Sequence, residues 1–468
     1  MKATTLAEIA SVIRPQNVYG LRPEQLATGI AIDSRKVKPG DIFFALAGRQ
    51  ADGHRFVDDA FRAGAAAAIV ERTDVVSAGN NLLVVDSVLQ ALQALAGWYR
   101  GQFPIPVVAV TGSSGKTTTK EMTAAVLNAL GPAAYNFANL NNELGLPLSL
   151  LGIEPEHVAG VFEMGMRGRD EIRQLCAIAA PQIGIITNIG SAHMECLGSQ
   201  EQIALAKWEL VEGLPPDGIA VLNGDDVWLR ELADRKREAR KIVWYGMGND
   251  CEIRARSVSS GLERTCFQIA LGDVRGNAEI RLPGTHNVYN SLAAIAAGWL
   301  LQIPLTVMVS RLTELTLPSM RMQLHSTAGD ILILNDTYNA NPDSTISALK
   351  VLAGVEGRRI AVLGDMFELG WFSQQGHRQV GVEAANSELA YLITVGRAAS
   401  EIAAGAIAAG LAATRVRHFN SKEDAGAYLQ TLLAAGDAVL VKASRGMQME
   451  ELVARLMDDQ RLRSESGL

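Results

Sequence analysis

The sequence predicts an α/β protein of three domains, and three observations carry that prediction. Its 468 residues exceed what one ordinary hydrophobic core organises. Apolar runs of strand length alternate with helical patterns over most of the chain, as expected for parallel sheets covered by helices. One such run, Val107–Val110, breaks into Gly112-Ser113-Ser114-Gly115, then Lys116-Thr117-Thr118, then a helical pattern through Leu130. Strand, glycine loop, Lys-Thr and helix together form the layout of a phosphate-binding loop.

Residues 1–102 read as a small α/β domain without a phosphate loop. Leu6–Ile13 has helical periodicity, Pro39-Gly40-Asp41 is a turn, and Ile42–Ala45 is a strand. A helix over Phe56–Ala63, apolar runs at Ala65–Val70 and Leu82–Val85, and a helix over Val88–Tyr99 follow. Asp33-Ser34-Arg35 and Asp52-Gly53-His54 fit two readings equally: turn chemistry, or a binding edge for a polar ligand. Gly101–Pro106 reads as a linker.

Residues 103–316 read as the central domain, a parallel sheet built around the phosphate loop. The glycines let backbone N–H groups turn toward one anion, Lys116 adds a full charge, and the Thr117 hydroxyl suits Mg²⁺. The loop is the short GxxGK[ST] form, because Val110 stands where the longer pattern has its first glycine. The run NFANLNNELGLP (136–147) is a polar loop whose amides suit a polar substrate. Strands Gly160-Val161-Phe162 and Ile183–Thr187 end in Glu163 and in Gly190-Ser191-Ala192-His193. Open parallel sheets bind ligands outside the carboxyl ends of their strands, so Thr117, Glu163 and His193 converge there as candidate Mg²⁺ and phosphate partners. Lys207 lies in an apolar helix, Glu201–Glu212, and read alone it fits a lysine snorkelling from an amphipathic helix. Short alternating runs from Lys241 to Leu282 predict antiparallel strands. Asn287 and Asn290 then share one face at the start of an Ala-rich helix, Ser291–Leu301.

Residues 317–468 read as a Rossmann-like domain without GxGxxG. Strands Ile331–Leu334, Arg359–Leu363, Tyr391–Val395 and Ala438–Val441 alternate with helices. Polar clusters follow the strands: Asn335–Pro342 with Asp336, Tyr338, Asn339 and Asn341; Gly364–Gly370; and Lys442–Gly446 with Ser444 and Arg445.

Composition narrows the function. A net charge of −7 without a Lys/Arg cluster argues against nucleic acid as a partner. The four cysteines have no CxxC spacing, so neither a disulfide framework nor a zinc site is indicated. No apolar window is long enough to insert in a membrane; Ile402–Ala413 reads as a packed helix. The expectation is a cytoplasmic, ATP-using enzyme.

These clusters, in this order, resemble the Mur ligases of bacterial cell-wall synthesis over essentially the whole chain. The shared elements are TGSSGKTTT, the Asn-rich loop, Glu163, His193, Lys207, GTHNVYN and the pair Arg321/Asp336. DSRKVKPGDIFFAL with DGH resembles a uridine-nucleotide domain, and NDTYNANPDS and VLGDMFELG resemble the branch of the family that adds D-alanyl-D-alanine. The resemblance implies three domains, for a nucleotide sugar, for ATP, and for ATP with the incoming dipeptide. It implies two Mg²⁺ ions and a carbamylated lysine at Lys207. The implied substrates are UDP-N-acetylmuramoyl-tripeptide and D-alanyl-D-alanine, joined through an acyl phosphate by a monomer.

By the same resemblance, Lys116, Lys207, His193 and Glu163 are catalytic, and Thr117, Glu163, His193 and carbamylated Lys207 hold metal. Gly112, Ser113, Ser114, Gly115, Lys116, Thr117, Thr118, Asn287, Asn290, Arg321 and Asp336 bind ATP. Asp33, Ser34 and Arg35 lie near the uridine nucleotide, and Asn139, Asn142, Arg167 and Ser191 near the muramoyl-peptide. Tyr338, Asn339, Asn341, Ser444 and Arg445 face the dipeptide. Closure of the third domain over ATP is the implied gating step. The alternatives are a family member adding a diamino acid, a folylpolyglutamate synthase-like ligase, and a phosphate-loop ATPase switch.

Overall fold

The computed structural model describes residues 1–48, 51–74, 80–237, 240–327 and 329–458. Three main sheets follow one another along the chain. The first has five strands in the spatial order Asn17–Tyr19, Leu82–Val84, Ala67–Val70, Asp41–Phe44, Gly29–Ala31, with only the first pairing antiparallel. Helix Leu6–Ile13 packs on it, opened by a capping box in which Thr5 and Glu8 satisfy each other's backbone N–H.

The central sheet has nine strands, and its order explains where a site forms. Val107–Thr111 lies third from one edge, between Ala159–Glu163 on one side and Ile183–Ile186 on the other. All three run parallel, and their ends are nearly flush: Glu163 pairs with Val110, and Ile186 with Thr111. The chain leaves Val107–Thr111 toward one edge and resumes on its other side, so a crevice opens at the carboxyl end where the strand order reverses. Outward from Ile183–Ile186 come Ile219–Asn223 and Lys241–Gly246, both parallel, then Ile253–Ser260, Thr265–Leu271 and Val274–Ile280. The antiparallel expectation for Lys241–Leu282 therefore holds only from residue 253 onward. KIVWYG is half-buried in the parallel sheet beside Ile219–Asn223, a strand that had no expectation of its own, and periodicity alone does not report strand direction.

Helix Thr285–Leu300 begins six residues earlier than the Ala-rich pattern predicts and packs along the phosphate-loop helix Lys116–Leu127, sharing the apolar core of Met122, Val126, Leu292 and Ile295. The third sheet has six strands. Gln323–Ser326 is antiparallel at one edge, followed by Leu332–Asn335, Asp437–Lys442, Arg358–Gly364, Tyr391–Val395 and Val416–Phe419, all parallel.

The segment read as a linker is firmly held. The buried Arg100 guanidinium donates to the carbonyls of Phe103 at 2.6 Å, Ile105 at 3.0 Å and Ala179 at 3.1 Å. Tyr99 donates to Ile153 O at 2.8 Å. Helix Val88–Arg100 thus joins the first sheet to the central one through one continuous core. Among the described residues, no helix is long and apolar enough to cross a membrane.

Candidate active site

The phosphate loop is shaped by its own glycines and by the neighbouring strand end. Gly112 and Gly115 have φ of 149° and 78°, and a Cβ at either would collide, with Thr187 Oγ1 and with Asn290 Oδ1 respectively. Asn188 braces the loop from the neighbouring strand end. Its Oδ1 accepts from Ser114 N–H at 3.0 Å and its Nδ2 donates to Ser114 O at 3.0 Å, while Ser113 N–H donates to Asn188 O at 3.0 Å. The N–H groups of Ser113 and Ser114 are therefore spent on loop shape. Those of Lys116, Thr117 and Thr118 open the helix without an intrahelical acceptor and remain aimed at an anion. Lys116 Nζ curls back to Gly112 O at 2.8 Å, and burial lowers its pKa against the opposing pull of the Glu163 carboxylate.

Glu163 is 3% exposed, and its two oxygens have separate partners. Thr117 Oγ1 donates to Oε2 at 2.6 Å and Asn141 Nδ2 to Oε1 at 2.7 Å. The backbone of Glu163 is clamped by the Asn136 amide, which accepts from its N–H at 2.9 Å and donates to its carbonyl at 2.9 Å. Lys120 in turn holds Asn136 O at 2.8 Å. Asn287 and Asn290, both buried, stand on the next helix, where Thr119 Oγ1 donates to Asn290 Oδ1 at 3.1 Å and Asn290 Nδ2 to Asn287 Oδ1 at 3.1 Å.

The third unit reaches into the same place. Arg321 Nη2 donates to Thr117 Oγ1 at 2.8 Å while its guanidinium lies 4.0 Å over the Tyr338 ring. Asp336 receives Lys442 Nζ at 2.6 Å, and Lys442 also donates to Asn339 O at 2.9 Å. His193, in left-handed backbone at φ 67°, puts Nδ1 2.9 Å from Glu368 Oε2, and Glu368 Oε1 is 3.8 Å from Arg167 Nε. Burial lowers the His193 pKa, opposed by Glu368, whose own pKa is lowered by the closeness of the His193 ring. Lys207 is 1% exposed; burial first, and then the Lys116 charge, push its pKa well below the ordinary lysine value.

The structure thus gathers Gly112 to Thr118, Glu163, Ser191, His193, Lys207, Asn287, Asn290, Arg321, Asp336, Tyr338 and Asn339 around one crevice. Other expected residues have partners of their own within the protein. Asn142 caps helix Gly145–Leu150 through Gly145 N–H, and Asn341 is the N-cap of helix Pro342–Ala353. Ser444 Oγ accepts from Phe367 N–H at 2.8 Å, and Arg445 pairs with Glu450 at 2.8 Å. The Asn139 carbonyl accepts from Asn141 N–H at 2.8 Å. In the first unit Arg35, 87% exposed, pairs with Asp33 at 2.8 Å and holds that carboxyl down to about 2. Asp52 and His54 fit the turn reading: buried His54 bonds Asp52 at 2.7 Å and accepts Glu71 N–H at 2.9 Å, which occupies both ring nitrogens. Sequence reasoning did not single out Asn136, Asn141, Asn188, Glu368 or Lys442. All five stand in or beside polar runs at strand ends, but spacing does not tell which amide of several turns inward.

Thr117 and Glu163 offer adjacent oxygens of the kind that hold Mg²⁺ together with phosphate oxygens. Among the described residues no three His, Cys, Asp or Glu side chains form a ready-made metal cluster.

Three family models match the chain: Mur ligase family, catalytic domain, over residues 27–100; Mur ligase middle domain over 110–298; and Mur ligase, glutamate ligase domain, over 320–445. A Bacillus subtilis UDP-N-acetylmuramoyl-tripeptide–D-alanyl-D-alanine ligase is 35% identical over 97% of this chain and 98% of its own length. The Escherichia coli protein of that name is 36% identical over 92% and 94%. Among solved structures, MurF from Acinetobacter baumannii superposes with a TM-score of 0.90 at 32% identity, covering 98% of this chain and 99% of that one. MurF ligase from Thermotoga maritima in complex with ADP gives 0.83 at 28% identity, covering 94% and 99%.

Proposed function

The chain belongs to the Mur ligase family, and on that premise we propose that it joins D-alanyl-D-alanine to UDP-N-acetylmuramoyl-tripeptide at the expense of ATP. The observation that carries the reading is the meeting of Glu163 and of Arg321, from the third unit, at hydrogen-bond distances on the Thr117 hydroxyl next to Lys116. A carboxylate and an amine do not condense in water, since hydroxide is a poor leaving group. The tripeptide carboxylate attacks the γ-phosphorus, ADP leaves, and an acyl phosphate forms. The dipeptide amine then attacks the acyl carbon and phosphate departs from the tetrahedral intermediate.

The first step brings two anions together, so the site must supply cations and fixed donors. Lys116 and the N–H groups of Lys116 to Thr118 hold the transferring phosphoryl group. Thr117 and Glu163 would hold Mg²⁺, which when bound neutralises phosphate charge. Arg321 crosses from the third unit to the Thr117 hydroxyl, and Tyr338 stacks beneath it. Asn287 and Asn290 border the adenosine side, with Asp336. His193 and Lys207 line the acyl side and would support a second ion. Lys207 fits the family's carbamate: a neutral amine adds to CO₂, the N–C bond forms and a proton leaves, and burial shifts the lysine toward its neutral form. Asp33, Ser34 and Arg35 would meet the uridine nucleotide; Asn139, Asn142, Arg167 and Ser191 the muramoyl-peptide; Tyr338, Asn339, Asn341, Ser444 and Arg445 the dipeptide. Residues 1–102, 103–316 and 317–468 act as three domains of a cytoplasmic monomer in this reading.

Phosphate release with ATP, Mg²⁺, UDP-muramoyl-tripeptide and D-alanyl-D-alanine, omitting each in turn, tests it. Phosphate only with all four, and a product heavier by the dipeptide minus water, is the expected outcome. Release indifferent to the dipeptide would refute the assignment of the amine.

A further inference from the structure

Asp343 has no part in the site as described so far. It is the second residue of helix Pro342–Ala353, in the third unit, and much of it is exposed. Its Oδ2 accepts two hydrogen bonds from the central unit, both from Ser191: the backbone N–H at 2.8 Å and the hydroxyl at 3.0 Å. Ser191 is 4% exposed and stands two residues before His193.

The loop that carries these residues is held by three successive N–H groups, each captured by a different oxygen. Ile189 N–H donates to Asp226 Oδ2 at 2.7 Å, Gly190 N–H to Ser113 Oγ at 2.8 Å, and Ser191 N–H to Asp343. Asp226 and Ser113 belong to the central unit and are present whatever the third unit does. Asp343 alone of the three arrives with the third unit. The approach is close enough to dictate the sequence beneath it: a Cβ on Gly190 would collide with Asp343 Oδ2 and lie 3.0 Å from its Cγ. Glu368, from the same unit, reaches His193 itself at 2.9 Å.

We propose that Asp343 is a positioning residue for His193: by capturing Ser191 it fixes the loop 189–193 only when the third unit is seated. Without that acceptor, docking would leave the Ser191 N–H buried and unpaired, which opposes the seated arrangement. Thr117 and Glu163 need no such help, since both are fixed within the central unit. Seating of the third unit is thereby coupled to assembly of the acyl side of the site. The inference rests on the role given to His193 above.

The test uses four variants of the full chain, with turnover, KM for each substrate, melting temperature and the radius of gyration from X-ray scattering with and without substrates. Asp343→Ala lowers kcat about tenfold or more, as for loss of hydrogen bonds made only in the assembled state, while KM for ATP holds. Asp343→Asn restores most of the rate, because its carbonyl oxygen accepts both bonds. Gly190→Ala blocks seating and abolishes substrate-induced compaction. The double variant Gly190→Ala/Asp343→Ala regains compaction and is no slower than Asp343→Ala alone, since the colliding carboxylate is gone. Because Asp343 is exposed, its removal opens no core cavity and the melting temperature stays near that of the parent. Wild-type kcat in Asp343→Ala, no rescue by Asn, or multiplicative losses in the double variant would overturn the proposal. Should the parent chain release no dipeptide-dependent phosphate, the assigned reaction fails, and the scattering of the Gly190 pair still decides the role of Asp343.

Discussion

Arg321 donates to the hydroxyl of Thr117 at 2.8 Å across 204 residues of sequence, tying the start of the third unit to the phosphate loop. The same guanidinium lies 4.0 Å over Tyr338, so one planar cation is both stacked and hydrogen-bonded. Lysine reproduces its charge but neither the fork nor the stack. Arg321→Lys is therefore expected to lose about as much kcat/KM for ATP as Arg321→Ala, on the order of 10- to 100-fold for a charged hydrogen bond at phosphate. Tyr338→Phe should keep the rate and Tyr338→Leu should not. Steady-state kinetics with ATP varied provide the check; a lysine variant near wild type would show that charge alone matters.

Burial and then the Lys116 charge push the pKa of the Lys207 amine well below its ordinary value. Lys207→Ala is expected to remove turnover, and short carboxylates such as formate or acetate to restore part of it by standing where the carbamate would. Turnover of the parent should also fall when CO₂ is stripped from the buffer and return when bicarbonate is added. Inactive Lys207→Ala with no rescue by any small acid would leave Lys207 a packing role and remove the carbamate from the reading.

What the sequence disclosed and what it withheld divide along a physical line. Lys116, Thr117, Glu163 and His193 were legible because strand ends are marked by where an apolar run stops, and flush parallel strands bring those ends together. Asn141 rather than Asn139 or Asn142 reaches Glu163 because a tight turn decides which amide faces inward. Spacing within a polar loop carries no such information. Glu368 and Asp343 were hidden for another reason. Their partners, His193 and Ser191, lie in a different unit, and only docked units show the pairing. The direction of Lys241–Gly246 was likewise a tertiary fact, set by its neighbour Ile219–Asn223.

Asn136 is fully buried and makes three side-chain hydrogen bonds, two of them to the backbone of Glu163. Asn136→Ala should destabilise the chain by about 2–4 kcal/mol, the range for buried partners left unpaired. Asn136→Asp should not rescue it, because a carboxylate cannot donate to the carbonyls of Leu140 and Glu163. Urea unfolding gives the stability, and kcat should fall with it, since Glu163 loses its clamp. Equal stability of the aspartate variant and the parent would mean that the donor half of the amide is dispensable.

Arg35 and Ser34 sit at the surface of the first unit, away from the core. The double variant Ser34→Ala/Arg35→Ala should leave the melting temperature nearly unchanged, as surface substitutions usually do. Its KM for the uridine nucleotide-peptide should rise while that for ATP stays the same. An equal rise in both would remove these residues from the nucleotide-sugar site.

His377 gives the chain an acid-sensitive joint in the third unit. The ring is fully buried; Nε2 accepts from Met366 N–H at 3.0 Å and Nδ1 lies 2.7 Å from Ser373 O, an arrangement that needs the neutral ring. Burial lowers its pKa below the ordinary 6.5, and His193 and His286 are lowered by burial too. The unfolded chain then binds more protons than the folded one as pH drops through the ordinary histidine range. Stability is full above about pH 6.5 and declines below it, by up to about 1.4 kcal/mol per pH unit for each such group until its folded pKa is reached. Urea midpoints measured from pH 8 to pH 5 should therefore fall on the acid side. His377→Gln, which can accept from Met366 N–H without titrating, should start lower at pH 8 but decline less steeply. A slope identical to that of the parent would assign the acid sensitivity to other groups and remove His377 as its source.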